Sequence, residues 1–342
     1  MDRLLELGVS SEIVLVLQGK IHYNLHNLDI ADGIFKKILE NSPNHVDALH
    51  FIGKVAGYTD ANYGVRQKRD DSSEKLKVEI TTEDTVSGLI YSAKDEQSII
   101  EKLTLLLGCK KYCIDIGALD GVRFSNTFAL FSGGWSGLLF ECSRENISAL
   151  AKNINKLPQE ISIIGTFVTP DNILKMLNAF EVPLDLGFIS IDIDSYDFEV
   201  LEKILGVYRP RLICAEINER IPPPIKFRQL FSGGGKGVDN GIHGGCSISA
   251  YEELLRNNGY SIVHLEYNNL FAVQDVDLPL IYPAFVDQSA GAAWRAGFMD
   301  RPDKYSWMPW NKPFDYLFSL PVEVAIAEIR KSVPKDMHFL IS

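Results

Sequence analysis

Acidic side chains in this 342-residue chain stand where apolar runs end. The first group is Asp115-Ile-Gly-Ala-Leu-Asp-Gly121, the second is Glu141, the third is Asp192-Ile-Asp-Ser-Tyr-Asp197, and the fourth is Glu216-Ile-Asn218. Carboxylates that converge from several strand ends hold either an organic cation or a hard divalent metal such as magnesium or calcium. Gly117 lets the backbone approach a ligand, and Gly121 permits a turn into the following helix. Leu119 and Asp120 occupy positions where a dinucleotide fingerprint needs glycine to admit a pyrophosphate, which disfavours a nicotinamide-dependent oxidoreductase. Asp115 can accept a hydrogen bond from a ligand ammonium. Glu141 follows it at about the separation at which a carboxylate grips the ribose hydroxyls of a nucleoside.

Period-two geometry puts Asp192 and Asp194 on one side of their strand, next to Glu216 and Asn218 on its neighbour. Asp194, Glu216 and Asn218 are the candidate metal ligands; the alternative is that acids 192 and 194 contact the cofactor ammonium or cap the helix that starts near Tyr196. A hydroxyl nucleophile needs a proton acceptor, for which His243 is the first candidate and Asp194 the next. His243 lies in the glycine-rich stretch 233–245, and loops of this kind over a strand end serve as lids or substrate walls. Lys236 in that loop does not make a phosphate-binding loop, since Gly-Val follows it instead of Ser or Thr and a helix. Phe167 and Val168 are placed either to flank an adenine ring or to pack in the core. His264, inside an apolar strand, reads as a sheet residue.

These residues need elements that aim them. Apolar runs bounded by turn residues predict strands at 112–116, 136–141, 161–168, 186–193 and 212–217, with helices at 98–107, 123–132, 144–156, 171–180 and 196–205. A helix at 247–257 and a hairpin-like pair at 260–266 and 269–273 follow. This alternation predicts an α/β fold, a parallel sheet with helices on both faces, whose ligand lies beyond the carboxyl ends of the strands.

Ile114-Asp-Ile-Gly-Ala-Leu-Asp-Gly121, Gly134-Trp-Ser-Gly-Leu-Leu-Phe-Glu141 and Ile189-Ser-Ile-Asp-Ile-Asp194 resemble the FkbM-type S-adenosylmethionine-dependent methyltransferases and, more distantly, the macrocin-type sugar O-methyltransferases. The resemblance covers about residues 95–275. It implies a Rossmann-like class I methyltransferase fold and S-adenosylmethionine as cofactor, with Asp115 and Gly117 at its methionine end and Glu141 at its ribose. The expected cofactor set is Asp115, Gly117, Ala118, Asp120, Gly121, Glu141, Phe167 and Asp192. Macrocin-type relatives use an Asp-x-Asp-x-Tyr element around a metal that holds vicinal sugar hydroxyls, and Asp192, Asp194 and Tyr196 are similar in spacing. The fifth strand here carries Glu-Ile-Asn where those relatives have adjacent aspartates. The expected activity is O-methylation of a sugar, glycan or natural product, with Mg2+ or another divalent cation as a second ligand. A contrasting reading is a non-catalytic scaffold with a protein-binding helical module.

Length and composition set the frame. The chain predicts a helical region at 1–66, a polar linker at 67–90, the methyltransferase domain at 91–280 and a C-terminal extension at 281–342. Residues 31–53 resemble a tetratricopeptide repeat at the junction of two helices. A single repeat cannot bury its own face, so it is expected on the main domain, on a protein partner or in a homo-oligomer. A net charge of -11 argues against nucleic-acid partners. No long apolar run predicts a membrane span, and the N-terminus reads as cytoplasmic. Five cysteines read as buried free thiols. Trp294, Trp307 and Trp310, with Tyr305 and Pro309, read as a cover for the site, a subunit contact or ordinary packing of the extension.

Overall fold

The computed structural model of the protein describes residues 15, 16, 18, 19, 28–42, 48, 90–233 and 244–342. The chain divides into two compact units, Met1–Gln67 with Arg301–Ser319, and Lys68–Asp300 with Leu320–Ser342.

In the smaller unit, helix α1 (Leu28–Asn41) buries Ala31, Phe35 and Ile38 in a cluster with Val16 and Ala48. A Cβ on Gly19 would stand 2.5 Å from the Phe35 ring, so glycine is what lets the Phe35 ring pack so closely on the backbone there. Of the repeat-like stretch 31–53, residues 43–47 and 49–53 lie outside the described residues, as do linker residues 67–89. Within the same unit the Tyr305 hydroxyl donates to the Asp315 carboxylate.

The larger unit is built on a sheet of seven strands in the order β3-β2-β1-β4-β5-β8-β7. Strands β1 (Tyr112–Ile116), β2 (Ser136–Glu141), β3 (Ile161–Gly165), β4 (Phe188–Ile191) and β5 (Leu212–Glu216) run parallel. Strand β8 (Asn269–Gln274) is antiparallel to both β5 and β7 (Tyr260–Glu266). Buried Ile114, Ile189 and Ile213 supply the continuous apolar character that a sheet covered on both faces requires. Helices α2 (Glu96–Leu107), α3 (Phe128–Ser132), α4 (Arg144–Ile154), α5 (Ile173–Ala179), α6 (Asp197–Leu205) and α7 (Ile248–Asn257) flank it. The fold is thus the expected Rossmann-like α/β sheet. From β1 the strands proceed to β2 and β3 on one side and from β4 to β5 on the other, so the order reverses between β1 and β4, where such sheets open a cleft.

Register sorts the side chains of one face into rows. Cys113, Phe188, Leu212 and Val273 stand side by side and pack with Ile99 and Leu103 of α2 and Phe131 of α3. Asp115, Ser190, Cys214 and Phe271 form the next row. Two residues further on, the period-two rule places Glu141, Gly117, Asp192, Glu216 and Asn269 in a third row. The face changes from apolar to acidic over about two pleats.

Some boundaries differ from the periodicity. Strands predicted to reach 168 and 193 stop at Gly165 and Ile191, and the helix predicted from 123 starts at Phe128. In each case polar side chains capture backbone groups: Asn172 donates to Phe167 O at 2.8 Å and accepts from Thr169 N at 2.7 Å, Asp197 accepts from Ile193 N at 2.7 Å and Ser195 N at 2.9 Å, and Asp120 accepts from Val122 N at 3.0 Å and Arg123 N at 2.8 Å. The small sheet of β6 (Phe227–Gln229) and β9 (Phe339–Ile341) was not expected, because three-residue strands this far apart in the chain leave no local pattern. Among the described residues no helix is long and apolar enough to cross a membrane.

Gly117 has φ +100, and a Cβ there would lie 1.8 Å from the Asp192 carbonyl oxygen. Gly117→Ala is therefore expected to destabilise the protein by roughly 3 kcal/mol or more, combining left-handed strain with a backbone clash. Denaturant unfolding of the variant checks this; a loss of only a few tenths would mean that β1 and β4 do not meet this closely.

Candidate functional site

The glycine predicted to bring backbone close to a ligand instead brings it against the neighbouring strand. Gly117 N and Ala118 N both donate to Phe140 O at 3.0 Å, and Asp192 N donates to Ile116 O at 2.9 Å. The turn after β1 is thereby fastened to β2, while β1 itself is fastened to β4. Gly117 leaves the third row without a side chain between Glu141 and Asp192, a gap in the line of acids. Gly121, at φ +76, turns the chain where a Cβ would strike Leu150 of α4.

The cofactor candidates separate into those that face the cleft and those that build its walls. Glu141 closes β2 with one carboxylate oxygen accepting from Leu119 N at 2.8 Å and the other from Cys142 N at 2.9 Å and Ser143 N at 2.7 Å. A carboxylate offers about four acceptor sites, so room for one more donor remains. Asp115 lies beneath the turn, buried, and accepts from the Thr127 hydroxyl at 2.7 Å; burial raises its pKa to about 6. Asp120 is committed to the turn, taking two backbone N–H groups and pairing with the Arg123 guanidinium. Ala118 is buried, whereas Phe167 beyond β3 is 44% exposed and presents its ring to solvent. All five cysteines are free, but the expectation of burial fails for Cys142, which is exposed because it is the first residue past β2 at the cleft edge.

The acidic centre is tight. Oxygens of Asp192, Asp194 and Glu216 lie within 4.8 Å of one another. Asp194 is past the end of β4 and reaches this position with φ +59, a left-handed conformation held by Asp197, whose carboxylate binds the N–H groups on either side. Such a conformation in a residue other than glycine is a local cost that the surrounding turn sustains. Two charges 4.8 Å apart repel by about 3 kcal/mol at an effective dielectric of about 20. The repulsion disfavours ionisation of all three together and favours a cation among them.

The protonation follows from that crowding. Asp192 opens to the cleft on one side, but protein encloses its carboxyl on the others, and this loss of water with Asp194 and Asp197 nearby raises its pKa to about 8. Burial, with Asp192 and Asp194 adding to it, pushes the Glu216 carboxyl well above the usual range. The Glu216 Oε1 also accepts from Asn268 Nδ2 at 2.7 Å.

Asn218 is placed otherwise than as a member of this group: its Nδ2 donates to Gly244 O at 2.9 Å and its Oδ1 accepts from Arg220 N at 3.2 Å, which ties down one end of the glycine-rich loop. His243 lies outside the described residues. Half-buried His264 is beside Glu266 at 3.4 Å and near the rings of Phe271 and Phe285, as expected for a sheet residue. Trp294 is buried and donates to Glu219 O at 2.9 Å.

Sequence reasoning missed Glu96. It opens α2, is 3% exposed, and receives Asn269 Nδ2 at 2.8 Å and Ala93 N at 3.2 Å, which sets it at the β8 end of the third row. An acid at the start of a helix is an ordinary local feature, and only the partner 173 residues away reveals its place.

No protein-family model matches the chain, and no curated protein matches it. Among solved structures, an O-methyltransferase from Bacillus cereus in complex with SAH is 18% identical, with a TM-score of 0.37 over 53% of this chain and 80% of that one. The O-methyltransferase TomG from Streptomyces achromogenes, in complex with SAM, is 14% identical, with a TM-score of 0.37 over 65% of this chain and 96% of that one.

Burial, with Glu266 and Asp192 adding to it, raises the Glu96 pKa from 4.5 to about 8. Its contribution to stability is full while it is protonated in both folded and unfolded chains, and is lost as pH rises from about 4.5 to about 8. Glu96→Gln is expected to flatten the fall of Tm over that window. Thermal unfolding at a series of pH values measures it, and parallel curves for the two proteins would count against a neutral Glu96.

Proposed function

We propose that this chain is an S-adenosylmethionine-dependent methyltransferase that methylates a hydroxyl group of a sugar, glycan or natural product. The observation that carries this reading is the acidic third row at the β1/β4 reversal. Glu141 and Asp192 stand on either side of Gly117, and a ligand that carries a ribose at one end and positive charge at the other matches that order. A pyrophosphate would meet repulsion from the same carboxyls. The turn has no glycines at 119 and 120 to admit one.

When bound, S-adenosylmethionine would supply a methyl group on a positive sulfonium for transfer to the substrate oxygen. The protein then has three tasks: to orient the two reactants, to exclude water and to take the hydroxyl proton. Glu141 holds the ribose through its remaining acceptor site, and exposed Phe167 covers the adenine. Asp192 would support the positive charge of the bound cofactor. Asp194, exposed past the end of β4, is the proton acceptor among the described residues; His243, in the loop that Asn218 anchors, is the alternative acceptor.

The three clustered carboxyls also fit a divalent cation, since they offer hard oxygens at a spacing one ion can bridge. Asp192 replaces Asn218 in the ligand set first drawn from the sequence. A bound Mg2+ would lower the pKa of a coordinated substrate hydroxyl and would suit vicinal oxygens such as those of a sugar. A scaffold without catalytic function would have no use for acids held at this electrostatic cost.

Calorimetry with S-adenosylmethionine and S-adenosylhomocysteine tests the reading. The wild type is expected to bind both, and Glu141→Ala to bind them at least tenfold more weakly, as loss of a hydrogen bond to a charged group implies. Binding of neither ligand at millimolar concentration would end the methyltransferase proposal. For the cation, Mg2+ is expected to raise Tm in the wild type and not in Asp194→Ala, which should also lose most turnover. Activity that survives chelation unchanged would reject the metal.

A further inference from the structure

Helices α6 and α7 and the small sheet of β6 and β9 border a trench of about 450 Å³ that shares no residue with the acidic row. Helical spacing builds two of its walls. Phe198 and Glu202 lie one turn apart on α6, and Ala250, Leu254 and Asn257 follow one another along one face of α7. Strand alternation builds the third wall. Phe227 turns the other way to stack on Phe339, so Lys226 and Arg228 on either side of it face the trench, and Leu340 of β9 stands directly opposite Arg228.

The trench is apolar at its floor and charged at its rim. Phe198, Ala250 and Leu254 are buried along it, whereas Leu340 is 49% exposed at its mouth. Lys226 is paired with Glu253 at 3.1 Å. Arg228 is not committed in the same way. Its guanidinium lies over the Phe198 ring, 4.5 Å from the centroid, and this stacking holds it against the floor. The half-exposed Glu202 carboxylate stands 3.8 Å away, too far for a hydrogen bond, and no carbonyl or side chain among the described residues accepts from the guanidinium. A planar fork of N–H donors is thus oriented by stacking and left open to the cavity.

We propose that this trench binds a small organic monocarboxylate with an apolar body, its carboxylate on Arg228 and its chain along Ala250, Leu254 and Leu340. The fork of Arg228 matches a carboxylate through two parallel hydrogen bonds, a geometry that a lysine ammonium does not offer. The acids at the rim narrow the choice further. Glu202 and Glu253 repel a doubly charged phosphate more strongly than a singly charged carboxylate. The volume is in the usual range of small-molecule sites, and the apolar floor takes a hydrocarbon chain out of water. The assignment does not depend on the methyltransferase reading, since the trench and the acidic row have no residue in common.

Calorimetry on the full chain with octanoate as the probe tests the site, with octan-1-ol and octyl phosphate for comparison. Octanoate is expected to bind about tenfold or more tightly than the alcohol, and more tightly than the phosphate. Arg228→Gln is expected to weaken octanoate about tenfold or more, as loss of a charged hydrogen-bond pair implies. Leu340→Glu changes an exposed position and sets a further acid at the mouth; it is expected to weaken octanoate roughly threefold or more, and it keeps the test open should Arg228→Gln fail to fold. No binding of octanoate at millimolar concentration, equal affinity for octanoate and octan-1-ol, or an unchanged octanoate affinity in either folded variant overturns the proposal. Tighter binding of octyl phosphate than of octanoate overturns the choice of a monocarboxylate.

Discussion

Crowded carboxyls at the end of a parallel sheet are the constraint around which the larger unit is arranged. Asp192, Asp194 and Glu216 bring their oxygens within 4.8 Å of one another, and Asp115 and Glu96 add two more acids at the same edge. Left alone, such a group must keep protons that carboxyls ordinarily release near pH 4. The raised pKa values of Glu96, Asp115 and Asp192 are one consequence, and a local field that favours positive charge is the other.

Holding these groups together takes a rigid frame. The apolar first row of the sheet packs against α2 and α3 and supplies it. On that base Gly117 lets the turn after β1 press on the Asp192 carbonyl, and Asp197 locks the turn after β4 so that Asp194 keeps its left-handed conformation. The N-terminal end of α2 adds Glu96, bound to Asn269 on β8. Buried polar groups are tolerable here because nearly every one among the described residues has a partner.

Much of this was legible in the residues alone. The parallel strands and their flanking helices lie close to where apolar runs and turn residues put them, since a strand buried on both faces needs a continuous apolar run whatever surrounds it. The crowding of Asp192, Asp194 and Glu216 was legible because neighbouring parallel strands end at one edge of the sheet. Asp120 and Asn218 were indistinguishable from ligand residues in the sequence, since an amide or carboxylate looks the same there whether it meets a ligand or a backbone N–H. The short β6 and β9 strands and the role of Glu96 were invisible for a different reason: each depends on a partner far away in the chain.

The order of apolar and polar residues by itself determined the fold class, the strands that carry acids and the kind of charge the site would attract, because periodicity and residue chemistry are local properties. The tertiary structure alone decided which acids crowd together, which ones are consumed by turns, and which glycine is irreplaceable. Those outcomes follow from distances of a few ångströms between segments many residues apart, and electrostatic and steric energies change steeply over such distances.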